Sequence, residues 1–275
     1  MRHDLTKCNG TLTEFARLIR EKTFNEYKGK LKCGVDLGTA NIVLSVVDED
    51  NNPVAGAMYN STVVKDGIVV DYVGAIRAVQ ILKKEIELML NVTLESAATA
   101  IPPGIIKENV KAIANVVEAA GFEVTNVIDE PTAAATVIGL NDGAVVDVGG
   151  GTTGISILQN GEVIYTNDEP TGGTHMTLVL AGFNKSTIEE AEALKKDFSK
   201  EKDVFPIVKP VVEKMASIIK NYVNGFDVKQ IYVVGGACCF NEFEKIFEKF
   251  IGISTVKPAE PLLVTPLGIA MNSIV

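Results

Sequence analysis

DVGGGTTG, residues 147–154, lies inside the run AVVDVGGGTTGISIL (144–158) and decides how this chain is read. An apolar, β-rich segment ends on an aspartate, three glycines and two threonines follow, and a second β-rich segment begins. The pattern predicts strand, tight turn, strand. Glycine lacks Cβ, so backbone N–H groups of such a turn can converge on an anion set over it. Glycine-rich turns also close ordinary hairpins, and the motif alone leaves both readings open.

An internal echo tips the balance. DLGTAN (36–41) repeats the order aspartate, glycine, threonine at the end of another β-rich run, and the second aspartate follows the first by 111 residues (147 minus 36). That spacing is about one domain length, the signature of a duplication. Neither turn carries the G-K-[ST] of a Walker loop, and neither opens a helix as a dinucleotide fingerprint does. Two such hairpins facing each other across a cleft would grip one polyphosphate from both sides. Donors would come from backbone N–H groups and the hydroxyls of Thr39, Thr152 and Thr153. Asp36 and Asp147 would hold a magnesium ion through its waters, because magnesium dehydrates reluctantly. The competing role for both aspartates is turn formation.

Between the turns, IDEPTAAA (128–135) sets Asp129 and Glu130 at a strand end, before a helix opened by Pro131. A glutamate there favours the helix dipole. Beside two phosphate loops it would instead orient or deprotonate a water for attack on a γ-phosphate.

Composition narrows the class. The chain has 275 residues, 47% hydrophobic and 22% charged, no Trp and a net charge of −9. A globular protein with a substantial core is expected, and the acidic balance argues against nucleic acid or an anionic membrane as partner. No stretch reaches the roughly 18–20 apolar residues of a membrane span, and MRHDLTKCNGTLTEF (1–15) lacks a signal peptide's apolar run. A cytoplasmic location is expected. Cys8, Cys33, Cys238 and Cys239 show no C-x-x-C spacing, and with His3 and His175 far apart no zinc set is expected.

Periodicity predicts helices over 11–28 (with Leu12, Phe15, Leu18 and Ile19 on one face), 73–91, 106–121, 131–140, 187–198, 207–224 and 241–250, and a short apolar helix at the end. β-rich runs alternate with them, an α/β pattern.

GVDLGTAN (34–41), IDEPTAAA (128–135), VVDVGGGTTG (145–154), TGG (171–173), VVGG (233–236) and PLGIAM (266–271) follow one another in an order that resembles the actin/DnaK-like ATPase superfamily. That group includes actin, DnaK-type chaperones, MreB and FtsA. The resemblance runs from about Leu31 onward. It implies two ribonuclease-H-like α/β lobes around a cleft holding ATP and magnesium. The lobes expected are 31–142 with 262–275, and 143–261, preceded by a helical extension at 1–30. Asp36, Gly38, Thr39, Ala40 and Asn41 match the first phosphate loop; Asp147, Gly149, Gly150, Gly151, Thr152 and Thr153 match the second. Glu130 matches the residue that positions water, Gly172 and Gly173 a glycine pair near the phosphates, and Gly235, Gly236 and Ala237 the adenosine loop. Glu192 and Lys195, one helical turn apart, match a pair that contacts the nucleoside in the chaperones; a solvated ion pair is the alternative.

Departures from the pattern bear on turnover. The chaperones carry serine and a stacking arginine where Ala237 and Cys239 stand, and no residue clearly matches their γ-phosphate lysine, Lys65 lying in a setting closer to MreB. The inserted subdomains are trimmed, and no peptide-binding domain is expected after the last motif. The compact form, with STIEEAEALKK (186–196), resembles a chaperone-like branch encoded with ethanolamine-utilisation enzymes and their bacterial microcompartment. It implies a nucleotide-dependent assembly or maintenance role with those enzymes or microcompartment proteins as partners, and a slow ATPase is expected. The alternatives are an MreB- or FtsA-like filament or scaffold protein and a nucleotide sensor without turnover.

Overall fold

The computed structural model describes residues 4–65 and 67–274; His3 lies outside them. The chain opens with α1 (Thr6–Glu21), then β1 (Lys32–Leu37), β2 (Asn41–Val47), β3 (Pro53–Asn60) and the short pair β4 (Val64–Lys65) and β5 (Ile68–Val69). Next come α2 (Tyr72–Leu90), β6 (Ser96–Ile101), α3 (Lys107–Ala119), β7 (Glu123–Asp129) and α4 (Glu130–Ile138). The second half runs β8 (Gly143–Val148), β9 (Thr153–Gln159), β10 (Glu162–Glu169), α5 (Gly173–Asn184), α6 (Ile188–Lys196), α7 (Glu201–Val223) and β11 (Gln230–Val234). It closes with α8 (Phe243–Ile251), β12 (Ser254–Val256) and α9 (Val264–Met271).

Two five-stranded sheets repeat one topology. Their orders are β3-β2-β1-β6-β7 and β10-β9-β8-β11-β12. In each, three strands form an antiparallel meander and two more join in parallel. The parallel joins need crossovers, which α2, α3, α7 and α8 occupy. Asp36 is the penultimate residue of β1 and Asp147 the penultimate residue of β8. The duplication read from the sequence is therefore a duplication of sheets. The α/β class expected from the sequence holds.

Burial follows from composition. One core packs the first sheet against α2 and α3, and a second packs the other sheet against α5, α7 and α8. A third gathers α1, α4 and α9 with Val145, Tyr232 and Val234 of the second sheet. Because α9 also packs on β1, β2 and β6, helices α4 and α9 form a layer between the sheets. Small residues permit that closeness. A Cβ at Gly268 would stand 2.0 Å from the Ala133 carbonyl oxygen, and one at Gly34 2.3 Å from the Ala270 nitrogen.

Several boundaries differ from the periodic pattern. Helix α1 starts five residues before position 11 and stops at Glu21, where Lys22 turns left-handed (φ 50°) and caps onto Leu18. The predicted face holds: Leu12, Phe15 and Leu18 are buried. Helix α7 begins at Glu201 and contains Pro206 and Pro210, which the periodic pattern sets outside it or near its start. Each proline deletes one N–H from the ladder, and the buried face of Val204, Val208, Val212, Met215 and Ile219 holds the helix regardless. Helix α6 stops at Lys196, and Phe198–Lys200 forms a separate 3₁₀ turn. Asn160 and Gly161 both take positive φ, the two-residue hairpin expected from N-G.

Candidate functional site

The two aspartate-capped turns meet. A Cβ on Gly150, in the second turn, would lie 3.1 Å from Thr39 Cβ and 3.6 Å from Ala40 Cβ, in the first. Each turn is a β-hairpin whose register brings Asp36 opposite Val43 and Asp147 opposite Gly154. In the first, a Cβ at Gly38 would stand 2.8 Å from the Asn41 carbonyl oxygen. In the second, Gly149 N–H donates to Thr152 O at 2.9 Å and closes the loop. Grooves of about 430 Å³ beside Lys84, Glu87 and Asn91, and about 220 Å³ beside Thr132, Leu140 and Val163, are lined by none of the residues of the two turns.

Glycines Gly172 and Gly173 lock onto the second turn. Gly173 N–H donates to Gly149 O at 2.9 Å and Thr174 N–H to Gly150 O at 2.8 Å. A side chain at Gly172 has no room, since its Cβ would fall 2.7 Å from both the Gly149 and Gly150 oxygens. The adenosine-loop candidates close the same corner. Gly235 has φ +92°, and a Cβ there would sit 2.3 Å from Asp147 Oδ1. Ala237 Cβ lies 3.2 Å from the position of a Cβ on Gly173, and Gly236 opens the short 3₁₀ turn that carries Ala237. Thr153 is fully buried and donates its hydroxyl to Thr171 O at 2.6 Å, while Thr152 sits at the mouth of β9.

Carboxylates crowd this junction. Burial, then the charge of Asp147, pushes Asp36 up to about 7. Burial pushes Asp147 up to about 6, opposed by the hydroxyl of Thr265, which donates to its Oδ2. Glu130, first residue of α4, is raised well above the carboxylate range by burial, then by Asp147, Asp36, Asp168 and Asp129. Asp129 caps α4, accepting from Thr132 N at 3.0 Å, Thr132 Oγ1 at 2.7 Å and Ser156 Oγ at 3.0 Å. A strand end carrying such a cap is what delivers Glu130 to the junction.

Glu192 and Lys195 face inward from α6. Lys195 Nζ lies 2.6 Å from Glu192 Oε2, with only 11% of the lysine side chain exposed. The solvated-pair alternative therefore does not describe it. Lys65 lies in β4, which pairs with β5 in a separate two-stranded sheet. All four cysteines are free; Cys8, Cys33 and Cys238 are buried. Sequence reasoning missed Thr265 and Asp168. Thr265 immediately precedes the PLGIAM segment already singled out, and Asp168 lies three residues before TGG.

With this geometry in place, comparison with known proteins is decisive. The Hsp70 protein family model matches residues 71–224. The Salmonella typhimurium ethanolamine utilization protein EutJ is 42% identical over 238 residues, 86% of this chain and 84% of the relative. The crystal structure of EutJ from Carboxydothermus hydrogenoformans superposes with a TM-score of 0.91 at 49% identity, covering 96% of this chain and 97% of that one. The chain belongs to the EutJ family. A further structural neighbour, MreB 5 of Spiroplasma citri bound to AMPPNP, matches at TM-score 0.67 and 17% identity over 88% of this chain and 95% of that one, and shares the fold. The EutJ family thus carries the Hsp70-related, actin-like architecture in a compact form. Among the described residues, no helix is long and apolar enough to cross a membrane.

The residues fit a cation and a polyphosphate. Asp147 raises the proton affinity of Asp36, and both raise that of Glu130, so the three form a site that positive charge would relieve. Among the described residues no three His, Cys, Asp or Glu side chains converge to ligate one ion directly. A hydrated cation, the form magnesium prefers, needs few direct protein ligands and is compatible with Asp36 and Asp147.

Proposed function

We propose that this chain binds magnesium-ATP between its paired hairpin turns and serves ethanolamine utilisation as a nucleotide-dependent, chaperone-like protein in the cytoplasm. The supporting observation is the meeting of two duplicated turns, Thr39 against Gly150, with Asp36, Asp147 and Glu130 gathered beneath them. Asp36 and Asp147 would hold the hydrated ion, and the turn amides with Thr39 and Thr152 would bind phosphate oxygens. Bound magnesium would supply charge neutralisation for the phosphates and for the carboxyl cluster. Gly235, Gly236 and Ala237 would border the adenosine. The lobes are assigned as 31–142 with 262–275, and 143–261, with 1–30 as an extension, and they would close about the α4/α9 layer. Partners would be ethanolamine-utilisation enzymes or microcompartment proteins.

Slow hydrolysis is part of the reading. Burial, and then the charges of Asp147, Asp36, Asp168 and Asp129, raise Glu130 above the usual carboxylate range and so disfavour its basic form, which a bound cation would favour. The same observation favours a second reading, a nucleotide sensor without turnover.

Thermal unfolding with magnesium-ATP tests the proposal. A ligand at 100 times its Kd adds about 2.7 kcal/mol to stability. A rise in Tm with magnesium-ATP that EDTA abolishes supports the reading, and no rise at millimolar concentration defeats it. Phosphate release in the same samples separates slow hydrolysis from sensing.

A further inference from the structure

The lysine expected to touch the nucleoside has its protons committed elsewhere. An ammonium group has three N–H donors and no acceptor. Lys195 Nζ lies 2.6 Å from Glu192 Oε2, 2.9 Å from Gly173 O and 2.7 Å from Thr177 Oγ1. Thr177 in turn donates to the same Glu192 oxygen at 2.5 Å, which leaves its lone pair for Lys195. The other Glu192 oxygen pairs with Lys196 at 3.2 Å. Thr177 is 1% exposed and the Lys195 side chain 11%, with Glu192 at the margin at 31%, and every member has a partner.

Gly173 is the hinge of the arrangement. Its carbonyl accepts from Lys195, while its own N–H and that of Thr174 donate to Gly149 O and Gly150 O. One residue therefore joins the ammonium group to the backbone of the second turn. Charge-assisted bonds of this kind are about twice as strong as neutral ones. Desolvation disfavours the buried ammonium, and Glu192 opposes that penalty.

We infer that Lys195 is a positioning residue: with Glu192 and Thr177 it forms a buried strut that fixes the glycine pair, and through it the DVGGG turn, in the shape that accepts phosphate. Nucleoside contact is not its role. This rests on the proposed polyphosphate reading of the turn. The strut itself can be tested without any ligand.

Lys195→Met keeps length and removes the donors; Thr177→Val removes the relay and retains the ammonium. Amide hydrogen exchange on the ligand-free proteins reports the strut. Exchange at Gly173 and Thr174 should rise at least about tenfold in both variants, with the first sheet unchanged. Unchanged exchange at those amides overturns the inference, as does acceleration spread uniformly over the chain. The ligand arm uses magnesium-tripolyphosphate and magnesium-ATP by calorimetry. A strut predicts that Lys195→Met weakens both by the same factor, about tenfold or more. A variant that loses ATP affinity but keeps wild-type tripolyphosphate affinity shows a nucleoside contact and overturns the inference. Wild-type protein that binds neither ligand defeats the polyphosphate reading, and the exchange result then decides the strut alone.

Discussion

Removing one carboxylate from the junction should stabilise the ligand-free protein, and the amount should depend on pH. Asp36 is displaced from an ordinary 3.8 to about 7, first by burial and then by Asp147. A carboxyl whose folded value is raised keeps its proton in the native state while the unfolded chain has lost it. Stability from that group is present at low pH and falls as pH climbs from about 4 to 7. At about 1.4 kcal/mol per pH unit, Asp36 costs the native state up to about 4 kcal/mol at pH 8 and under about 2 kcal/mol at pH 5. Asp36→Asn has no such titration. Urea unfolding should find it more stable than wild type at pH 8 by about 1–3 kcal/mol, after allowance for solvent reaching the half-buried group. The gap should narrow at pH 5, and added magnesium should stabilise wild type more than the variant. A variant less stable than wild type at pH 8, or a gap independent of pH, would refute the charge-crowding account.

Other perturbations probe the frame around the cluster. Gly268→Ala forces a methyl to within 2.0 Å of Ala133 O, so α4 and α9 must separate; a loss of about 1–3 kcal/mol or more in thermal unfolding is expected. Thr265→Val removes the donor from Asp147 and should cost about 1–3 kcal/mol above pH 7 and less at pH 5, with Thr265→Ser recovering most of it. Glu130→Gln should bind magnesium-ATP within a few-fold of wild type in calorimetry, yet lose any measurable turnover by about a hundredfold or more.

The paired turns were legible because their requirement is local: an aspartate at a strand end, then glycines that leave room for a second backbone. Asp36 and Asp147 occupy the same position in duplicated strands, and the sequence carries that symmetry on its face. Helix α4 was legible for the same reason, with Asp129 capping and Pro131 in the first turn. Thr265 was not, because its bond to Asp147 spans 118 residues and no spacing rule reaches that far. The role of Lys195 was half legible. Its pairing with Glu192 is an i, i+3 relation, but its other acceptors, Gly173 O and Thr177 Oγ1, come from α5 and appear only once α5 and α6 are packed. The start of α7 was obscured by Pro206 and Pro210, which argue for a boundary locally and are overruled by burial.

The duplication repeats a fold without repeating its chemistry. Asp147 gained a hydroxyl from Thr265 on α9, and the bare Cα of Gly235 stands beside its carboxylate. A donor aimed at a carboxylate favours its charged form, so Thr265 holds Asp147 down, while burial and the charge of Asp147 push Asp36 up. The pair should titrate as two coupled steps, the lower carried mainly by Asp147 and the upper mainly by Asp36. On this reasoning, the first turn releases the proton when a cation binds at neutral pH, and the second is already charged to receive it. Carboxyl ¹³C NMR of the ligand-free protein would show it: Thr265→Val should raise the lower step toward the upper one. If the variant leaves both steps in place, the asymmetry arises from burial and from the charge of Asp147 on Asp36, and α9 has no hand in it.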